Sequence, residues 1–246
     1  MDFIKEWKKQ FRELLKLPTI KSRNGLIFKL EYRSENNKLH RNTNFGPGVI
    51  YYYKNGQISS KQYWVNNQLH RLTKEGPAFI RYYENGQIKL EEYWLNNQKH
   101  RPTEEGPAEI GYYENGKIKS EEYWINDFMH RSPYEGPAQI WYYENGQKEF
   151  ELYCIGDKAH RPTEEGPAEI TYYENGKIKQ EEYFINDKRH RLEGPAVICY
   201  DENGQIIHEE YLVNNQKHRP IEEGPAVISY ADGYAQYWNE GKEVYY

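Results

Sequence analysis

Cysteine and methionine are nearly absent from this chain, with two of each in 246 residues. Two thiols, Cys154 and Cys199, are too few for a disulfide framework and lack the close spacing of a metal knuckle, which fits a reducing compartment. No apolar run approaches the roughly 20 residues needed to cross a bilayer, and no signal-peptide core opens the sequence. Blocks of like charge are missing as well. With 33 Lys and Arg against 38 Asp and Glu the net charge is -5, so nucleic acid and anionic membrane are not expected partners. A Gly-rich phosphate loop, a nucleophile elbow and a zinc-protease motif are all lacking. The expectation is a soluble, cytoplasmic, non-enzymatic protein with no cofactor and no metal. Aliphatic core formers are also scarce, with 37% hydrophobic residues and a mean hydropathy of -1.09. Aromatics fill the gap: 25 Tyr and 6 Trp can bury a ring while keeping a polar tip wet.

The sequence is built on a repeat. Histidine recurs at 40, 70, 100, 130, 160 and 190, then at 218, each time followed by arginine. The short last step falls where HRLEGPA replaces HRPTEEGPA, which marks the stretch between His and Gly as a loop. Gly-Pro follows at 46, 76, 106, 136, 166, 194 and 224, then an alternating run. Asn-Gly comes next, at 55, 85, 115, 145, 175 and 203, with Asp232-Gly233 in the last unit. Asn-Gly between alternating segments predicts a two-residue hairpin turn, so each unit of about 30 residues reads as a hairpin.

Four regions result: a segment over 1–17, a half-repeat over 18–39, tandem units over 40–225 and terminal hairpins over 226–246. In the first, Phe3, Ile4, Trp7, Phe11, Leu14 and Leu15 fall at steps of three and four, the period of an amphipathic helix that Pro18 stops. A helical cap over the first open edge is one reading. A peripheral membrane helix is the other, because Lys5, Lys8, Lys9, Arg12 and Lys16 crowd its outer face. Asn24-Gly25 before LIFKLEY repeats the second half of a unit, and YADGYAQYWNEGKEVYY closes the chain off-period.

A two-residue turn at Asn115-Gly116 pairs Tyr113 with Ile118, Tyr112 with Lys119, Ile110 with Glu121 and Ala108 with Tyr123. Ala108, Ile110, Tyr112, Lys119, Glu121, Tyr123 and Ile125 then share a face that scarcely changes between units. Glu109, Gly111, Tyr113, Ile118, Ser120, Glu122 and Trp124 share one that varies. The constant face predicts packing, the varied one solvent or a partner. Seven hairpins joined by ten-residue loops predict an all-β, elongated, single-layer antiparallel meander roughly 65 Å long with an N-terminal capping α-helix. A propeller would need four strands per blade.

YYENG, the seven residues from Gly116 to Tyr123, and Asn126-Asp127 together resemble the MORN repeat, in its longer GPA…YYENG…HR variant found in bacteria and large DNA viruses. The resemblance covers residues 24 to about 240. It implies a sheet with an aromatic groove that holds partner helices, the protein's own helix, or membrane. Lys119 and Glu121 stand where the typical repeat has an aromatic and a glycine.

Seven His-Arg pairs suggest metal, but equivalent positions lie two strands, about 10 Å, apart, too far to share a zinc ion. Loop architecture fits better: imidazole satisfying backbone groups, and Arg101 pairing with Glu104 or Glu105. Cys154 and Cys199 are three strand spacings apart, roughly 14 Å, which excludes a disulfide. Glu121 and Glu122 point to opposite faces and form no acid/base pair; solvation or Lys pairing is expected for them. The best binding candidates are aromatic rows on the varied face: Tyr83, Trp94, Tyr113, Trp124, Trp141, Tyr143, Tyr173 and Phe184. Structural stacking is their plainer role. The expected function is a scaffold binding a protein or peptide partner. Alternatives are a peripheral membrane adaptor using residues 1–17 and an antitoxin or immunity-type inhibitor. Open edge strands allow a homo-oligomer.

Overall fold

The computed structural model describes residues 17–244. The sequence-expected helix over residues 1–17 lies, but for Leu17, outside them. Among the described residues every regular element is a β-strand or a short 3-10 turn, and the sheets are antiparallel hairpins taken in chain order. The chain divides into two compact units. The first runs to Ile118 and includes Trp124–Asp127; the second takes Lys119–Tyr123 and everything from Phe128.

In the first unit, strands Thr19–Arg23, Leu26–Glu31, Val49–Tyr52, Ile58–Gln62, Phe79–Tyr82, Ile88–Glu92 and Glu109–Tyr112 each pair with the next. The second continues the same plan. Its ladder passes from Ile118–Glu122 through Gln139–Tyr142, Lys148–Leu152, Glu169–Tyr172 and Ile178–Glu182. From there it runs on through Val197–Tyr200, Ile206–Glu210, Val227–Ser229, Tyr234–Asn239 and Lys242–Val244.

The Asn-Gly turn differs from the two-residue form expected of it. Gly116 N–H donates to the Tyr113 carbonyl at 2.9 Å, which closes a tight turn with Glu114 and Asn115 at its centre. Only Gly116 takes a positive φ, +84°. This is a turn followed by a left-handed residue, the three-residue hairpin form. The Asn115 side chain stays in an ordinary conformation and accepts the Lys117 N–H at 2.9 Å. One extra residue therefore enters the second strand: Tyr82 pairs with Ile88 and Arg81 with Leu90, leaving Lys89 as a bulge. The expected partner of a Tyr112-type residue is thus shifted by one, while the Ile-Glu pair is as expected, as in Ile140↔Glu151.

The two-residue turn with both residues at positive φ lies elsewhere. Asn66 and Asn67 have φ of 52° and 66°, and Asn186 and Asp187 51° and 64°. These pairs, with Asn96-Asn97, Gly156-Asp157 and Asn214-Asn215, close small second hairpins: Trp64–Val65 with Gln68–Leu69, Trp94–Leu95 with Gln98–Lys99, Cys154–Ile155 with Lys158–Ala159, Phe184–Ile185 with Lys188–Arg189, and Leu212–Val213 with Gln216–Lys217. The expected single strand through Glu122 to Ile125 is thus broken at the tyrosine. What read as a ten-residue loop holds a hairpin arm and a turn. Ala108, expected to pair with Tyr123, lies outside the strands and is fully buried; its counterpart Ala78 gives its carbonyl to the Tyr63 N–H at 2.8 Å.

Tyr63, Tyr93, Tyr123, Tyr153 and Tyr183 are 7–9% exposed, as are Ile140, Ile170 and Ile198 of the constant face. Tyrosine rings thus stand where a larger globule would use aliphatic side chains.

Candidate functional site

The His-Arg loop is a fastener. Arg101 lies over the Tyr93 ring at 4.0 Å, and its Nη1 donates to the Pro107 carbonyl at 3.0 Å. Arg41, Arg71, Arg131, Arg161, Arg191 and Arg219 repeat both contacts, on Tyr32, Tyr63, Tyr123, Tyr153, Tyr183 and Tyr211. The expected pairing of Arg101 with Glu104 or Glu105 gives way to a ring face and a carbonyl; those glutamates lie in the 3-10 turn Thr103–Glu105. Gly106 makes the approach possible. Its φ is +112°, and a Cβ there would stand 3.3 Å from Arg101 Nη1. Histidine plays the expected part in four repeats, where Nδ1 of His40, His70, His190 and His218 accepts a backbone N–H at 3.2–3.3 Å, whereas Nδ1 of His100 and His160 is buried without a partner among the described residues.

Two further ladders tie successive repeats within each unit. In the first, the asparagine or aspartate of each small turn binds the preceding small hairpin. Asp187 Oδ1 accepts the Ala159 N–H at 2.7 Å while its own N–H donates to the Ala159 carbonyl at 3.0 Å. Asn67, Asn97, Asp127, Asp157 and Asn215 do the same. In the second, from Tyr112 onward, the tyrosine that ends the first strand donates to the constant-face glutamate one repeat back. Tyr112 reaches Glu91 at 2.7 Å, Tyr142 reaches Glu121 at 2.8 Å, Tyr200 reaches Glu181 at 2.7 Å, and Tyr172 bonds Glu151. Burial, and then the carboxylate accepting the proton, push the phenol pKa values of Tyr142, Tyr172 and Tyr200 up. Glu151 is 4% exposed and Lys148 Nζ donates to it at 2.5 Å, so on this face the carboxylate is paired with lysine and tyrosine rather than solvated. Glu122 turns the other way, to Gln139 at 2.9 Å, as expected of its neighbour in a strand.

The candidate aromatics separate into three environments. Tyr83, Tyr143 and Tyr173, the second tyrosines, donate to the carbonyls of Tyr112, Tyr172 and Tyr200 at 2.7–2.8 Å, so they too clip one repeat to the next. Tyr113 is half-buried at the same position. Trp94, Trp124 and Phe184 leave the main sheet for the strands that follow the break. There they are half-buried and roofed by cations. Lys99 stands 5.6 Å from Trp94 and 5.1 Å from Trp124 while bonding Glu109 and reaching Glu92 at 3.2 Å. Arg189 stands 5.8 Å from Phe184 and holds Glu182 at 2.6 Å. The expected continuous aromatic rows on one sheet face are therefore not formed.

Trp141 remains. It is 43% exposed on the varied face, with Phe150 as its cross-strand partner and ring centroids 5.4 Å apart. The row continues through Thr171, Gln180, Cys199 and His208. Beside it runs a second row, Gln139, Leu152, Glu169 and Glu182. Burial, then the charge of Glu182, raise the Glu169 carboxyl pKa. Cys154 sits in a small hairpin rather than the main sheet; burial lifts its thiol to about 11, and its Sγ–H points to the Met129 carbonyl at 3.6 Å. Both thiols are free. Among the described residues no group of three His, Cys, Asp or Glu side chains is arranged to hold a metal ion, and no helix is long and apolar enough to cross a membrane.

These contacts define a tandem hairpin-repeat protein whose recurring residues fasten one repeat to the next and whose unmatched residues stand outward. The repeat itself has a family. The MORN repeat variant model matches residues 49–66, 78–96, 108–126, 138–153 and 168–186, and the chain is a MORN-like repeat protein. MORN repeats typically serve as protein- or membrane-binding scaffolds and are generally non-enzymatic. No curated protein matches the chain.

Proposed function

We propose that this protein is a non-enzymatic scaffold that binds a protein or peptide partner through the varied face of its sheets. Of the candidate aromatics, Trp141 carries the reading. Tyr83, Tyr143 and Tyr173 are committed to clipping repeats together. Trp94, Trp124 and Phe184 sit under cations, and Tyr113 shares the clip position, so these seven shape the margins. Trp141 recurs in no other repeat: its counterparts are Tyr51, Arg81, Gly111, Thr171, Cys199 and Ser229. An exposed tryptophan backed by Phe150 on a flat strand pair is the anchor type that dominates binding energy at interfaces. The half-buried Glu169 carboxylate of the adjoining row favours a partner whose apolar anchor is flanked by Lys or Arg.

The test uses substitutions borrowed from the protein's own repeats, Trp141→Thr with Phe150→Gln, which the neighbouring hairpin already carries as Thr171 and Gln180. A partner captured from the native host by the wild-type chain is titrated against both proteins. Loss of a central tryptophan anchor costs about 2 kcal/mol or more, a weakening of roughly thirtyfold. Equal affinity for the two proteins refutes the assignment to this face.

A further inference from the structure

The junction between the first two hairpin turns breaks the plan of the later ones. Elsewhere in each unit neighbouring turns are tied together. The second tyrosine of a YY pair donates to a carbonyl of the next repeat, as Tyr53 does to Tyr82 at 2.6 Å and Tyr83 to Tyr112 at 2.8 Å. The residue just after the turn adds a contact: Gln87 lies against Gly116, and Gln147 against Gly176. At the first junction these pieces are exchanged. Ser22 stands at the place of the clipping tyrosine and Leu26 at that of the glutamine, and among the described residues nothing comes within 4 Å of a Cβ placed on Gly56. Phe28 takes the place of Lys89. Lys54 takes a place that is glutamate in the next five repeats, as Glu84, Glu114, Glu144, Glu174 and Glu202.

The consequence is a cleft. Pairing of Leu26–Glu31 with Val49–Tyr52 ends at Lys29↔Tyr51, and beyond that point the two chain segments border a cavity of about 720 Å³. That volume lies within the range of ligand clefts, about 300–1,000 Å³. Leu26, Phe28, Tyr52 and Tyr53 contribute its walls, Arg23 comes from the first hairpin and Lys54 from the second. Both charged residues of the lining are thus cations, and neither has an ion pair among the described residues. Tyr52 adds a donor. Its counterparts Tyr112, Tyr142 and Tyr200 donate to a glutamate one repeat back, but Leu30 fills that glutamate's place. The Tyr52 hydroxyl has no acceptor among the described residues.

We propose that this cleft docks an acidic peptide segment of a partner protein, with an aromatic or aliphatic side chain entering between the two turns and carboxylates meeting Arg23 and Lys54. Charge complementarity selects the occupant: two unpaired cations and a phenol donor, with no carboxylate in the lining, draw acidic segments and reject basic ones. Spacing refines it. Arg23 pairs with Leu26, and Lys54 belongs to the chain on the other side of Leu26, so the cations stand about two strand spacings, ~10 Å, apart. An extended polyproline-type peptide sets residues three apart on one side at about 9 Å. Two carboxylates in a Glu-x-x-Glu segment match that separation better than a single phosphate group does. The site lies in the first unit and stands independently of Trp141, which belongs to the second.

Fluorescence anisotropy of a labelled Glu-Trp-Leu-Glu peptide titrated with the full chain tests the proposal. Saturable binding is expected with a Kd below about 0.1 mM, and a Gln-Trp-Leu-Gln peptide is expected to bind at least about tenfold more weakly. Lys54→Glu, which restores the residue of the next five repeats, weakens the acidic peptide at least about tenfold. Leu26→Gln with Phe28→Ser, the residues of the next repeat at Gln57 and Ser59, weakens it at least about threefold. All three positions are exposed, so both variants keep their thermal midpoints within about 2 °C of wild type. No saturation by about 1 mM, equal affinity for the neutral peptide, or a Kd unmoved by Lys54→Glu overturns the proposal. Displacement of the peptide by phosphatidylserine vesicles, or by inorganic phosphate beyond the effect of chloride at equal ionic strength, assigns the cleft to a phosphate group and overturns it as well.

Discussion

Removing one fastener, Arg161, tests how much each His-Arg loop contributes. The Arg161 guanidinium lies 3.9 Å from the Tyr153 ring, which is 9% exposed, and Nη1 donates to the Pro167 carbonyl at 3.1 Å. A desolvated cation–π contact contributes about 1–2 kcal/mol, and a charge-assisted hydrogen bond about 1.5–3 kcal/mol. Against this, Arg161 Nε is buried without a partner, a cost of about 1–3 kcal/mol. The net for Arg161→Ala is a loss of about 2 kcal/mol. For a chain of this length that lowers the thermal midpoint by about 4–8 °C. Arg161→Lys recovers less than half of it, because an ammonium cannot lie flat on the ring and reach the carbonyl together. Thermal unfolding followed by circular dichroism supplies the numbers. A midpoint within 1 °C of wild type for Arg161→Ala, or equal behaviour of Arg161→Lys and wild type, refutes the fastener argument.

The remaining predictions bear on the other ladders. Asp187→Ala loses the bond to the Ala159 N–H and places an alanine at φ 64°, for about 1–2 kcal/mol in denaturant titration, whereas Asp187→Asn stays near wild type because Asn67, Asn97 and Asn215 already fill that place. Tyr172→Phe strips the buried Glu151 carboxylate of its phenol partner and costs about 1–3 kcal/mol; adding Glu151→Gln restores part of the loss, a coupling read by a double-mutant cycle. Glu31 is 2% exposed. Burial alone would raise its pKa, but hydrogen bonds from Lys29 and Lys21 outweigh that and hold the carboxyl at about 2. Its folded pKa lies below the unfolded value of 4.5, so its stabilisation is complete above about pH 4.5 and fades as pH falls toward 2. Glu31→Gln should therefore narrow its stability gap to wild type across that window, and a gap that is constant with pH counts against the ion cluster.

Much of the architecture was legible because repetition fixes it. The thirty-residue step, the Gly-Pro and Asn-Gly punctuation and the alternating runs specify a hairpin meander, and the constant Ile-Tyr-Tyr positions mark the packed face. What escaped was local. Asn-Gly supports more than one turn, and a bulge residue such as Lys89 shifts the register by one without disturbing the hydrophobic pattern. The doublets Asn66-Asn67 and Asn186-Asp187 were the true two-residue turns, and a stronger weight on paired Asx residues would have found the second hairpin. Arginine was read by charge, and therefore sent to Glu104 or Glu105. Its flat guanidinium and the glycine at 106 were the better signals, since only a residue without a Cβ lets it reach the Pro107 carbonyl so closely. The aromatic positions recur visibly in the sequence, but the roles of the tyrosines among them depend on hydroxyl reach across a repeat, which spacing does not encode. Trp141 stood out in the sequence only by having no counterpart in the other repeats.

The division between fastening residues and outward residues is tested most directly by measuring thermal midpoint and partner affinity together on Trp141→Thr. Its ring is half in solvent and its replacement is the residue of the next repeat. The midpoint is expected to stay within about 2 °C of wild type, the effect of less than 1 kcal/mol, while affinity falls at least about tenfold. A midpoint that drops by several degrees with affinity unchanged would make Trp141 one more fastener and contradict the account.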